Sequence, residues 1–465
     1  MRRWHAARTR FVAQATRWVT LALLVLPTAA LGQLTDDPLD EEESFYRFGF
    51  EIKGHLRDSE SARFPSPFPF QPSSIPAGQD QVFLETVEDG NHVELSVVTL
   101  WFEARWKPWL TAKLKVDLVD RYDRNPTSED NEFDVDEAWL RFGTETEPGE
   151  LPDKGWGAYL KLGKIPKFER QDDRHLESYG VVATAFNRAE DVGFEGGVDF
   201  GRRLYLKTSF TSGNPLFFRD PNALAGDNGT SNLRQPNPVL EFETGFPIFY
   251  DADVEDYDFQ HMETGVGLGL RLGDENGRIG ADVLAWVFNR ELADTVDFTG
   301  SFYGGDLDIL RGPLNLFPLP IKTEEKTEWG ANVWLYAGGF TFFGQIVEQD
   351  LAGLPRDGQE VEVSYTFDLP YTVGFAGRQL FSYIQPAIRY SRLDPQFSSE
   401  NPFPAPSVFW DWEKIDAGLR VGLLENTVDL TVEWNDNTFV RAGRDESADE
   451  FLATIRWEMD WTRTR

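Results

Sequence analysis

Along most of this chain apolar and polar residues alternate one by one in short segments. In 45–57 (FYRFGFEIKGHLR), Tyr46, Phe48, Phe50, Ile52 and Leu56 share one face, while Arg47, Glu51, Lys53, His55 and Arg57 share the other. Successive side chains of a β-strand point to opposite faces, so each such segment is a strand with one oily and one charged side. The pattern recurs in 203–212, 360–369, 427–434 and 450–461. It predicts sixteen strands near 45–57, 92–106, 111–121, 133–143, 156–164, 192–200, 203–212, 262–272, 278–289, 328–337, 340–349, 360–369, 381–391, 411–422, 427–434 and 450–461. Three places fit poorly: the phase slips near Val97-Val98, both faces are apolar in 279–288, and Pro386 interrupts a strand.

The links between strands alternate in length. Short ones carry turn residues at Lys107-Pro108-Trp109, Gly201-Arg202, Asp274-Glu275-Asn276-Gly277, Gly338-Gly339 and Glu425-Asn426. Long ones cover about 58–91, 165–191, 212–261, 290–327 and 392–411, with 144–155 and 370–380 as extended members of the short set. Tight turns on one side and long loops on the other are the mark of an antiparallel transmembrane β-barrel with periplasmic turns and external loops. Such a cylinder has no open edge, and at about sixteen strands its bore is a water channel.

Composition supports export. Arg2, Arg3, Arg8, Arg10 and Arg17 precede an apolar run Trp18–Pro27 and a small-x-small site at Ala30-Leu31-Gly32, so 1–32 reads as a signal peptide. Residues 33–44 read as an acidic periplasmic leader and 45–465 as the barrel. No later apolar run is long enough for a membrane helix. The formal charge of −33 argues against nucleic acid as a partner, because phosphate would be repelled. There is no cysteine, hence no disulfide framework or Cys/His metal spacing. Tryptophans near strand ends (Trp101, Trp106, Trp109, Trp156, Trp329, Trp410, Trp412, Trp457, Trp461) suit girdles at the lipid–water interfaces.

The runs 136–143 (DEAWLRFG), 158–170 (AYLKLGKIPKFER), 186–201 (FNRAEDVGFEGGVDFG) and 384–394 (IQPAIRYSRLD) resemble the phosphate-selective porin O and P family of Gram-negative outer membranes. The resemblance implies a sixteen-stranded barrel, a homotrimer, and a third long loop folded inward to narrow the pore. Here that loop is 165–191, which implies Lys164, Lys167, Arg170 and Arg174 at or beside the constriction. The loop departs from the family's dense basic cluster: Lys167, Arg170, Arg174 and Arg188 face Glu169, Asp172, Asp173, Glu177 and Glu190. The chain also ends in Thr-Arg-Thr-Arg after Trp461, where the usual assembly signal has a final aromatic residue.

Inward-facing charge is the constellation with a mechanism. On strands one, three, five and seven the polar face carries Arg47, Lys53, Arg57, Lys113, Lys115, Arg121, Lys161, Arg203 and Lys207 against Glu51 and Asp117. On strands twelve and fourteen to sixteen it carries Glu360, Glu362, Asp368, Asp416, Asp429, Glu433, Glu458 and Asp460 against Lys414, Arg420 and Arg456. A basic wall opposite an acidic wall would set a transverse field, whereas paired and screened charges would merely hydrate the bore. The acidic run Asp251–Asp258 lacks the glycine and glutamate of a calcium loop. None of the histidines after residue 32 (His55, His92, His175, His261) sits in a local Ser/Asp arrangement for nucleophilic catalysis. The expectation is an outer-membrane porin, in contact with lipid, passing small hydrophilic or anionic solutes without catalytic residues, metal or cofactor. A phosphate- or oxyanion-specific channel is the alternative. A barrel enzyme and a secreted carbohydrate-binding β protein are the readings from other classes.

Overall fold

The computed structural model describes residues between 44 and 464; outside the description fall 1–43, 66–82, 121–133, 219–234, 252–260, 274–278, 307–322, 397–410 and some shorter stretches. The signal peptide, the leader to residue 43, the Asp274–Gly277 turn, Trp410 and the acidic run beyond Asp251 therefore lie outside the described residues.

Sixteen antiparallel strands form one closed sheet: β1 (Phe45–Ser59), β2 (Gly90–Trp106), β3 (Leu110–Asp120), β4 (Asp134–Gly143), β5 (Trp156–Pro166), β6 (Glu190–Phe200), β7 (Leu204–Thr211), β8 (Glu263–Gly273), β9 (Ile279–Glu291), β10 (Glu325–Ala337), β11 (Phe340–Leu351), β12 (Leu354–Tyr365, resuming at Phe367–Asp368), β13 (Phe381–Pro395), β14 (Asp411–Leu423), β15 (Val428–Arg441) and β16 (Arg444–Thr464). Each strand pairs with its sequence neighbours, and β1 also pairs with β16 from Phe45↔Thr464 to Ser59↔Glu450, which seals the cylinder.

The two faces divide as the alternation requires. Phe48, Leu100, Leu114, Leu140, Phe194, Leu268, Ile346, Ile388, Leu430 and Ile455 are exposed on the outer surface. Lys53, Lys161, Glu195, Glu263, Glu362, Arg389, Lys414, Asp416 and Glu433 are buried inside. Among the described residues no helix is long and apolar enough to cross a membrane. A closed antiparallel cylinder, oily outside and charged within, satisfies every backbone group without water and is the architecture of the bacterial outer membrane. This protein is an outer-membrane β-barrel.

The three irregularities have local causes. Ser96 is skipped in the β1–β2 register, where Lys53 pairs with Val97 and Gly54 with Leu95. This bulge turns the outward set from Val93 and Leu95 to Leu100 and Phe102. Pro386 offers no N–H, and opposite it the β12–β13 pairing is interrupted between Ser364↔Ala387 and Phe367↔Ile384. In β9 the inward apolar residues Leu284, Trp286 and Phe288 are covered from within, as shown below.

Loop length departs from expectation on the outer side. β11 and β12 are joined by only Ala352-Gly353, both with positive φ, and β15 and β16 are separated by only 442–443. The tryptophans are also divided: Trp106, Trp156, Trp329, Trp434, Trp457 and Trp461 are exposed outward, but Trp412 is fully buried. Strand parity places Trp412 on the inner face, where its Nε1 donates to Asn437.

Candidate pore constriction

Residues 167–186 of the third external loop fold into the bore and are seated by both shape and polarity. Its Phe168 stacks on Phe288 at 5.2 Å, which explains the apolar inner face of β9. Glycines on the wall make room for it. A Cβ at Gly358 would stand 2.6 Å from Phe186 and 3.1 Å from Val182, and one at Gly418 would stand 2.6 Å from Leu176. These loop residues are buried, Val182 among them in the short helix α1 (Val181–Ala185).

Polar groups of β10 and β12–β15 take up the loop backbone. Asn332 donates to the Glu169 carbonyl at 2.5 Å, Lys414 to that of Tyr179 at 2.8 Å, Arg389 to that of Ser178 at 2.8 Å and Arg356 to that of Ala185 at 2.9 Å. In the other sense, Glu433 accepts from the Glu177 and Ser178 N–H groups, and Glu362 from the N–H and ring of His175. Buried charges are tolerated when paired and hydrogen-bonded, which Arg389 achieves with Asp416 at 2.7 Å and Glu362 at 3.4 Å.

Glu177 pins the loop to one stretch of the wall, 3.0 Å from Lys53 of β1 and 3.0 Å from Arg420 of β14. Burial alone would push its carboxyl up, but Lys53 and Arg420 outweigh that and hold it well below the usual carboxylate range.

A second segment enters from the periplasmic end. Residues 144–152 of the 144–155 link turn inward, and Glu145 meets Lys161 at 2.9 Å, Lys207 at 3.0 Å and Arg141 at 3.3 Å. Arg271 donates to the Thr146 carbonyl at 3.2 Å and Arg202 to that of Pro152 at 3.2 Å. Gly149 lies against the Tyr336 ring, and the Tyr336 hydroxyl donates to Asp173 of the external loop at 3.0 Å. The two inward segments thus meet at Tyr336.

No family model matches the chain, and no curated protein matches it in sequence. Among solved structures it is similar to OprB of Pseudomonas putida (11% identity, TM-score 0.44, covering 90% of this chain and 94% of that one). It is likewise similar to a loop-deletion form of OmpT, an outer membrane protein of Vibrio cholerae (10%, 0.45, 89% and 99%), and to the outer membrane channel DcaP of Acinetobacter baumannii (11%, 0.44, 89% and 97%). The assignment as an outer-membrane barrel rests on the closure and faces described above.

The residues singled out in the sequence are distributed as follows. Lys53 pairs with Glu177 and Glu51, Lys113 with Glu137, Lys115 with Asp136, and Arg47 with Asp460. Arg57 is buried on the inner face near the outer end of β1. In the loop, Lys167 is bound to Glu263 at 2.5 Å and Asp191 at 3.5 Å, Arg170 to Glu190 and Asp172, and Arg174 lies 3.7 Å over the Tyr179 ring. Lys164 departs from the others. It stands opposite Val192 in the β5–β6 register, and Val192 is exposed outward, so strand parity sets Lys164 on the outer face at the upper rim. On the other wall Glu360 and Glu362 are buried against loop residues Gly180 and His175, Glu433 holds the loop backbone, and Asp429 accepts from the Tyr383 hydroxyl at 2.7 Å. Asp368 is exposed at the periplasmic end of β12.

Sequence reasoning missed Glu145, Tyr336 and Arg389. The available signal for Glu145 was the unusual length of its link. Among the described residues one group of three carboxylates, Asp136, Glu137 and Glu190, lies close enough to hold a cation. Lys115, Lys113 and Arg170 already pair with them, so the donor set is spent on ion pairs.

Proposed function

We propose that this barrel is a passive porin for small hydrophilic solutes, narrowed by the 167–189 loop and the 144–155 link. The observation carrying this reading is the uneven burial of inward charge. Arg47, Lys113, Lys115, Arg170 and Arg456 keep 25–43% of their side chains exposed. Glu362, Arg389, Lys414, Asp416 and Glu433 keep 1% or less. The open, hydrated route therefore runs along β16 and β1–β5, with the loop packed against the far wall.

Charges on that route nearly balance, because Asp136, Asp172, Glu458 and Asp460 stand beside the cations. Weak ion preference follows, with solutes sorted by size and polarity. The phosphate-selective alternative needs cations free to hold an oxyanion, and the pairs at Lys113, Lys115, Lys161, Lys167 and Arg170 give it no support. A homotrimer in outer-membrane lipid completes the proposal.

Purified protein reconstituted in planar bilayers should conduct potassium chloride with a reversal potential near zero in a salt gradient. Potassium phosphate should pass without saturation at millimolar concentration. Bilayers that stay silent with folded, heat-modifiable protein would overturn the porin reading, and saturable phosphate current would favour the oxyanion channel.

A further inference from the structure

The 144–155 link is anomalous for a periplasmic connection. Such turns are tight, yet this one carries a carboxylate up into the bore and places it among three cations from three strands: Arg141 of β4, Lys161 of β5 and Lys207 of β7. Among the described residues the wall beneath brings one acid of its own into ion-pair range, Glu195, 3.6 Å from the Lys161 ammonium and hydrogen-bonded by the Tyr159 hydroxyl at 2.7 Å. Without the link the wall would thus present three cations against one carboxylate. Glu145 sits in this cage as a bound anion would, one oxygen on each lysine. The cations and Glu145 keep 8–15% of their side chains exposed, so the cage borders the water path.

Other contacts seat the link as well: Thr146 donates to Asp199 at 3.3 Å, and Gly280 of β9 packs on the Gly149 backbone. Arg271 and Arg202 each bind one carbonyl, and Gly149 leans on Tyr336. The apolar residue in its tip, Leu151, is half-buried.

From this geometry we infer that Arg141, Lys161 and Lys207 form an anion subsite for small carboxylate or oxyanion solutes, and that Glu145 occupies it as a tethered plug. The subsite lies on the periplasmic half of the route and sets the charge preference of the pore. Neutralising the plug exposes the cage and turns a weakly selective channel toward anions. The inference rests on the porin reading.

The test is reversal potential in a potassium chloride gradient for wild type, Glu145→Gln, Lys207→Gln and the double variant. Glu145→Gln should raise the chloride-to-potassium permeability ratio severalfold, and inorganic phosphate added from the periplasmic side should then reduce chloride current. Lys207→Gln alone should shift the ratio toward potassium, and the double variant should return close to wild type. Heat-modifiable migration in gels reports folding of each. If Glu145→Gln does not fold, the Lys207→Gln shift decides. A folded Glu145→Gln or Lys207→Gln with wild-type reversal potential overturns the inference, as does Glu145→Gln current indifferent to phosphate. A wild type that does not conduct refutes the porin reading instead, so the two failures are told apart.

Discussion

Arg389 has no exposed surface, and its guanidinium joins Asp416, Glu362 and the Ser178 carbonyl. Removing one partner of a buried pair strands the other charge, at a cost of about 3–5 kcal/mol. Arg389→Ala should therefore lower the urea midpoint of the barrel in detergent and raise single-channel conductance as the loop lifts. Glu177 makes a different prediction. Its carboxyl is held below the usual range by Lys53 and Arg420 against the pull of burial. A depressed pKa in the folded state gives stability that is present above the unfolded value and lost only as pH falls through the folded value. Conductance should thus stay flat as pH falls to about 4, near the ordinary glutamate value, and change only below it. Glu177→Gln should show the loosened, noisier conductance already at neutral pH. Neither role stood out in the sequence, because the contacts that seat the loop, Arg389 to the Ser178 carbonyl and Glu177 to Lys53 and Arg420, join positions far apart in the chain. Lys164 failed for the converse reason: a basic residue beside the right loop still points the way strand parity dictates.

At the level of elements, the strands were legible and the seating of the loop was not. Alternation marked all sixteen strands, and even its lapses had structural meaning. The slip near Val97-Val98 is the Ser96 bulge, and the doubly apolar 279–288 is the platform for Phe168. The wall glycines carry no such mark, since a glycine on a strand reads the same whether it faces lipid or a neighbour. Gly358→Val would force Phe186 and Val182 off the wall, and should increase conductance while leaving the β circular-dichroism signal intact. The two-residue turn at Ala352-Gly353 gives an opposite case. Ala352 holds φ 56°, a conformation that costs a residue with a Cβ about 1–2 kcal/mol. Ala352→Gly should recover part of this, measured as slower thermal loss of heat-modifiable migration.

For the whole molecule, the even strand count and the membrane-facing exterior followed from pattern alone. The proposed opposition of a basic and an acidic wall did not survive contact with neighbouring strands. Counting β1, β3, β5 and β7 passed over Glu137 on β4 and Glu195 on β6, each beside a lysine of the preceding strand. Counting β12 and β14–β16 likewise passed over Arg389 on β13. Adjacent strands interleave opposite signs because an uncompensated charge at close range costs more than a distant one relieves. The seam between β1 and β16 has a further consequence. Arg47 finds Asp460, and Phe48 stacks on Trp461 at 6.0 Å, across almost the entire length of the polypeptide. A chain still emerging into the periplasm therefore owns an unmatched first strand until its final segment arrives. During that interval its two raw borders invite pairing with foreign strands.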